Sequence, residues 1–288
     1  MRESLGMETL RTQFGNRCAR ASLAVVAFCL LAGASARAQS PASSSASAAS
    51  KGSASTTTSS VGKPTVASAA APTVDQVLNR YVQAIGGREA WSKLHSRTSL
   101  GKIVVPSMSL TGTVMIHEKA PNKVLLVVIL AGQAFRQGYD GTIGWSEDPQ
   151  DGMKEKTGAQ LEEAQRDADF YRPLHMEKTY TKLSVVGKEK VGERDAWVIQ
   201  ADLPEGGSDK LFFGAESGLI LRAVSQQHTE NGVTAVAEDF KDYREVDGVK
   251  LPFEIVQVNG NSSLTITLDE VRHNVELDDS EFVEPAVE

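Results

Sequence analysis

Beyond His95 the apolar residues of this chain fall mostly at every second position, and turn signals interrupt them at short intervals. Pro121-Asn122, Asp140-Gly141, Asp148-Pro149, Glu205-Gly206-Gly207, Ser217-Gly218, Asn231-Gly232, Asp247-Gly248 and Asn259-Gly260 supply the breaks. Period two sends successive side chains to opposite faces of a strand, so short alternating runs between close turns predict an antiparallel meander. Leu264, Ile266 and Leu268 alternate with Thr265, Thr267 and Asp269; Leu251, Phe253 and Ile255 alternate with Pro252 and Glu254. Leu110, Val114 and Ile116 do the same with Thr111, Thr113 and Met115. One face of such a sheet is apolar and the other wet. The apolar face needs a cover.

Two segments supply candidates for that cover. Thr73 followed by Gln76 is a capping-box arrangement, and Val74, Val77, Leu78, Tyr81, Val82 and Ile85 recur at helical spacing until Gly86-Gly87. A short helical piece over residues 88–94 carries Trp91 and Leu94 on one side. Residues 157–171, rich in Ala, Glu, Gln and Arg, hold Leu161, Ala164, Ala168 and Tyr171 at helical spacing and predict a helix inserted between two halves of the sheet. The expected architecture is mainly β (α+β): an incomplete antiparallel β-barrel, a curved sheet under a helical lid.

The fold does not occupy all 288 residues. Residues 1–20 carry four Arg, residues 21–33 are almost unbroken apolar, and Ala36-Arg37-Ala38 offers a small-x-small site. This is the pattern of a secretory signal peptide, with cleavage expected after Ala38 and a periplasmic or otherwise exported product. The apolar run falls short of the roughly 18–20 residues that span a bilayer, which argues against a retained anchor. Ala34 stands where a lipoprotein signal would need cysteine. Residues 39–72 are nearly all Ser, Ala and Thr, with little to bury, and predict a disordered linker. The folded domain is expected over residues 73–288.

Both cysteines, Cys18 and Cys29, precede Ala38, so the mature chain is expected to hold no disulfide. The formal charge of −7 includes five Arg and two Glu from residues 1–38, and the remainder stands at about −10. That balance argues against nucleic acid and against anionic membrane surfaces as partners. No Gly-x-Ser-x-Gly, His-Glu-x-x-His or phosphate-cradling glycine loop occurs. The five histidines are scattered singly, and Glu162, Glu163, Asp167 and Asp169 read as the solvated face of a helix. The expectation is a non-enzyme with no catalytic residues, no metal site and no cofactor.

Residues 110–145 run as a strand, an Ala120-Pro121-Asn122-Lys123 turn, an apolar run over 124–130, and an Asp140-Gly141-Thr142-Ile143-Gly144-Trp145 hairpin. That order resembles the LolA-like bacterial periplasmic lipoprotein carriers, and the Phe240–Phe253 stretch, with Asp247-Gly248 and Leu251-Pro252, looks like their outer-membrane lipoprotein-sorting relatives. The resemblance implies a half-barrel round an apolar cavity that carries the acyl chains of a lipoprotein or other lipid between envelope membrane proteins. Where the best-known carriers place an Arg before the Pro-Asn turn to latch the lid, this chain has Ala120 preceded by Lys119. The cavity candidates are Val114, Ile116, Leu126, Val128, Trp145, Leu161, Phe170, Leu174, Phe253 and Ile255. The same alternation also fits a filled core, which would make the domain an envelope sensor or protein-interaction module instead, and Trp145 serves either as a packing anchor or as a ligand contact.

Overall fold

The computed structural model describes residues 71–204, 206–229, 232–260 and 262–285. The expected signal peptide and nearly all of the expected linker lie outside the described residues.

Helix α1 (Val74–Ala84) starts as its sequence dictates. The Thr73 hydroxyl accepts from the Gln76 N–H at 3.2 Å, and Gln76 Oε1 accepts from the Thr73 N–H at 2.9 Å. Two donors that the first turn would otherwise leave unpaired are satisfied. Gly86 then turns the chain, at φ 109°, into α2 (Gly87–Trp91). A Cβ at Gly86 would sit 2.2 Å from the Gly248 carbonyl oxygen, so glycine alone lets the end of α1 approach that later hairpin. The Ile85 carbonyl fastens the corner by accepting from Trp91 Nε1 at 3.1 Å and from the Lys250 N–H at 3.0 Å.

The strands are β1 (Ser96–Val105), β2 (Leu110–Lys119), β3 (Lys123–Leu130), β4 (Gln133–Tyr139), β5 (Gly144–Asp148), β6 (Gly152–Glu155), β7 (Lys182–Val191), β8 (Arg194–Asp202), β9 (Ser208–Gly214), β10 (Ile220–Thr229), β11 (Gly232–Val246), β12 (Val249–Asn259) and β13 (Ser262–His273). They form one curved, unclosed antiparallel sheet in the order β6-β5-β4-β3-β2-β1-β13-β12-β11-β10-β9-β8-β7. Each half is a plain meander, and the halves join where β1 pairs with β13. The last strand of the first half and the first of the second are therefore opposite edges. The chain between them, residues 156–181, has to cross the whole apolar face. It contains α3 (Ala159–Ala168) and two single 3₁₀ turns, Arg172–Leu174 and Met176–Lys178. Main-chain bonds hold this lid: Lys156 N–H to Gly144 O at 2.6 Å, Phe170 N–H to Pro121 O at 3.0 Å and Thr181 N–H to Asp202 O at 2.8 Å.

The predicted alternation resolves into one core. Leu251, Phe253, Leu264, Ile266 and Leu268 are buried on the inner face with Ile103, Val105, Val114, Leu126, Val128 and Leu130. Helix α1 closes over the second half of the sheet, where Tyr81 meets Phe213 edge-on at 5.4 Å.

The outer face holds a feature the sequence reading lacked. After β13 the chain doubles back as a strap whose Leu277 and Phe282 bury against Leu125 and Trp145, flanked by Met115, Val127 and Met153. Trp145 Nε1 donates to the Phe282 carbonyl at 2.8 Å, Ser96 Oγ to Val275 O at 2.6 Å, and Lys119 Nζ to Leu277 O at 2.7 Å. His117 Nδ1 lies 2.8 Å from Glu281 Oε2. The strap explains most of the unbroken apolar run 124–130: it covers Leu125 and Val127 on the outer face of β3, while Ile129 beyond it stays exposed. Gly138, paired with Trp145 across β4 and β5, leaves room for the indole, because a Cβ there would lie 2.6 Å from the ring.

Candidate ligand cavity

Between the lid, α1, α2 and the inner face lies a cavity of about 270 Å³. Trp91, Ile116, Phe170, Leu211, Phe240 and Ile255 supply apolar wall. Phe170 sets the lid side, meeting Trp91 at 6.5 Å and Tyr171 at 5.2 Å, both edge-on, while the Tyr171 hydroxyl donates to Leu94 O at 2.8 Å. The Phe170 main-chain bond to Pro121 ties the lid directly to the Pro-Asn turn. Lys119, beside the position where the carriers place their Arg, reaches away to the strap and pairs with Asp279 at 2.7 Å.

The ten residues picked from the sequence separate into distinct places. Ile116, Phe170 and Ile255 line the cavity. Val114, Leu126, Val128 and Phe253 are packed into the core beside it, none more than 8 % exposed. Leu174 lines a smaller hollow of about 180 Å³ together with Leu78, Val82 and Arg88. Leu161 packs on Tyr139, Ala164 and Ala168, where α3 meets the sheet. Trp145 is under the strap on the outer face, bonded to Phe282.

The cavity also holds charge that the sequence reading did not assign to it. Arg97 Nε and Nη2 donate to the two Glu118 carboxylate oxygens at 2.6 and 2.5 Å, across directly paired positions of β1 and β2. Both side chains are almost fully buried, and the guanidinium lies 5.8 Å from the Phe170 ring centre. At another part of the wall, Arg172 Nη1 donates to Asp167 Oδ1 at 2.8 Å, and the Tyr180 hydroxyl donates to Asp209 Oδ2 at 3.1 Å. Arg172 also bonds to Tyr180, and Glu238 of β11 faces the same group.

Electrostatics there follow from burial. Loss of water raises the carboxyls of Asp167 and Asp209, against the pull of Arg172, and pushes Glu238 up to about 7, helped by the charge of Asp167. Burial likewise pushes the Tyr180 phenol up to about 12. For Arg172 the cost of burial is exceeded by Asp167, Tyr180 and Asp209, so its guanidinium stays charged.

Asp167 is a correction. Glu162, Glu163, Asp167 and Asp169 read as a solvated helix face, and Glu162 is exposed, but Asp167 near the end of α3 turns under the lid and is only 10 % exposed. A usable signal existed for the rest. Arg97, Glu118, Asp209 and Glu238 each fall in phase with the apolar face of their own strand, where a charge must be paired or face a cavity.

No family model and no curated protein sequence matches the chain. Solved structures do resemble it. A DUF1329 family protein from Desulfovibrio piger aligns at a TM-score of 0.51 with 14% identity, over 73% of this chain and 97% of its own. A LolA superfamily protein from Nitrosomonas europaea aligns at 0.50 with 11% identity, over 74% of this chain and 99% of its own. The fold is LolA-like, in agreement with the resemblance seen in residues 110–145.

Proposed function

We propose that this protein is an exported, non-enzymatic carrier or receptor that shelters an acyl chain between its lid and its sheet. The observation that carries the reading is the cavity of about 270 Å³ left under the lid by a sheet whose inner face is otherwise tightly packed. Its size lies just below the range of about 300–1,000 Å³ typical of small-molecule sites, which suits one slender chain. Each methylene taken from water contributes about 0.8 kcal/mol, so a chain of moderate length offsets the cost of ordering it. A LolA-like fold favours the same reading, as do the basic N-terminal region and the Ala36-Arg37-Ala38 site, which would deliver the domain outside the cytoplasm. The donor and acceptor would be proteins of the envelope membranes.

The test is uptake of a fluorescent fatty-acid probe, alongside native mass spectrometry of protein purified from its own host. Wild type should bind the probe and carry lipid mass. Ile116→Asp, which places an unpaired charge in the cavity wall, should lose uptake and keep its β-sheet circular-dichroism spectrum. A wild type that takes up no probe and purifies without lipid overturns the proposal.

A further inference from the structure

The cavity's charges do not balance. Arg97 is neutralised by Glu118, which holds it through both carboxylate oxygens. Arg172 is the guanidinium bonded among Asp167, Asp209 and Glu238, and it is already committed to Asp167 and Tyr180; Lys250 also lines the cavity, and Arg166 and Lys156 act on Asp167 from outside the lining, but the lining carboxylates remain in excess of its cations. Asp167 is nine-tenths buried, faces the cavity and leaves its Oδ2 without any hydrogen-bond partner. A buried carboxylate oxygen with nothing to accept from is costly, and the cost is relieved either by a proton or by a donor that enters the cavity. Burial, which raises the carboxyls of this group against the pull of Arg172, makes an entering donor the more favourable partner.

Resting on the carrier reading, we propose that the cavity selects amphiphiles with a cationic head group, an alkylammonium whose N–H donors meet Asp167 and Glu238 while its chain lies along Ile116, Phe170 and Ile255. A metal ion does not fit the same place. Among the described residues no three His, Cys, Asp or Glu side chains converge closely enough to hold one. A larger organic cation spans separated carboxylates, because each N–H can address a different oxygen. An anionic head group would find both guanidiniums already bonded to carboxylates, and would add to the excess negative charge.

Competition against an uncharged fluorescent acyl-chain probe at neutral pH, with dodecylamine, dodecanol and dodecanoate below their aggregation concentrations, tests this. The three share a chain and differ in head-group charge. Dodecylamine should displace the probe at least about tenfold more tightly than the other two, the ratio expected of one charge-assisted hydrogen bond. Glu238→Gln and Asp167→Asn, both near in shape to the native residues, should each lower the amine-to-alcohol preference several-fold. Dodecanol or dodecanoate binding as tightly as the amine overturns the head-group proposal and leaves the carrier standing. So does an amine preference that both variants leave untouched. If neither the uncharged probe nor dodecylamine binds the wild type, the carrier reading fails and this proposal falls with it.

Discussion

Strand β3 presents the same kind of residue on both sides, and the two sides end differently. Leu126, Val128 and Leu130 face inward, under the lid; Leu125 and Val127 face outward, under the strap. The strap sends its own Leu277 and Phe282 into the sheet and lends Trp145 a carbonyl, so that face closes solidly, with Trp145 1 % and Phe282 0 % exposed. The lid is held through main-chain bonds at Gly144, Pro121 and Asp202 and turns Asp167 and Arg172 inward beside Phe170. Polar groups that must keep their own partners cannot collapse onto an apolar sheet, and a void is left. Whether an apolar face becomes core or cavity is decided by the side chains of its cover.

The largest effect that separates these regions is expected from two substitutions on facing positions of neighbouring strands. Ile116 and Leu126 are directly paired across β2 and β3, yet Ile116 lines the cavity while Leu126 is packed. Leu126→Asp should therefore abolish cooperative unfolding altogether, whereas Ile116→Asp should fold and fail to bind probe. Equal loss of fold in both, followed by circular dichroism and urea titration, would erase the distinction drawn between the two sites.

Next in size is Trp145→Ala, which removes the anchor of the outer face. Deleting a fully buried indole costs about 3–5 kcal/mol. Here it also strips the Phe282 carbonyl of its donor. Denaturant titration should show that loss, while the folded fraction still binds probe with unchanged affinity. A folded variant that no longer binds would mean that strap and cavity are coupled through the sheet.

Much of this was legible before any coordinates. The Thr73–Gln76 capping box, the inner-face alternation in β2, β12 and β13, and the helix inserted between the two halves of the sheet are local patterns, set by 3.6- and 2-residue periods. The strap was not legible. Leu277 and Phe282 have no period of their own, and their partners lie more than a hundred residues away in β3 and β5. The charged wall escaped for the same reason. Asp167, Arg172, Tyr180, Asp209 and Glu238 come from the lid and two distant strands, and only topology gathers them. For Asp167 a helical-wheel argument assigned solvent to a face that the lid turns inward. Trp145, which the sequence reads either as a packing anchor or as a ligand contact, is the anchor of the outer face, because strand parity puts it on the side away from Tyr139 and Val124.

A smaller effect distinguishes the cavity by its charge. A group whose folded pKa is raised above its unfolded value contributes stability that is whole below the unfolded pKa and lost as pH rises through the folded one. Glu238, pushed from an ordinary 4.5 to about 7, should therefore cost the folded state on the order of 3 kcal/mol as pH rises from roughly 4.5 through 7. Asp167 and Asp209, also raised, act in the same direction. His273 acts oppositely, because burial lowers its pKa and the folded state resists its protonation in acid. The measurement is accordingly a difference: wild type minus Glu238→Gln, by urea titration at several pH values. The variant should gain relative to wild type as pH rises across that window. A flat difference would mean that Glu238 is not held in a water-poor cavity wall.

The smallest expected effect concerns the polar stitching of the strap. His117 is 14 % exposed and Glu281 about a third, and their 2.8 Å contact joins β2 to the 3₁₀ turn that ends in Glu281. A partly exposed pair of this kind contributes about 0.2–1 kcal/mol, well below the contribution of a buried aromatic ring. A double-mutant cycle of His117→Ala and Glu281→Gln isolates it. The coupling should fall within that range, and hydrogen exchange at Phe282 should stay slow in the double variant because Trp145 still holds the strap. A coupling as large as the Trp145→Ala loss would reverse the order, making charge rather than apolar burial the force that closes the outer face. In that case the contrast with the lid would lie in where the charges are placed, at the rim of the strap and inside the cavity, rather than in which cover carries them.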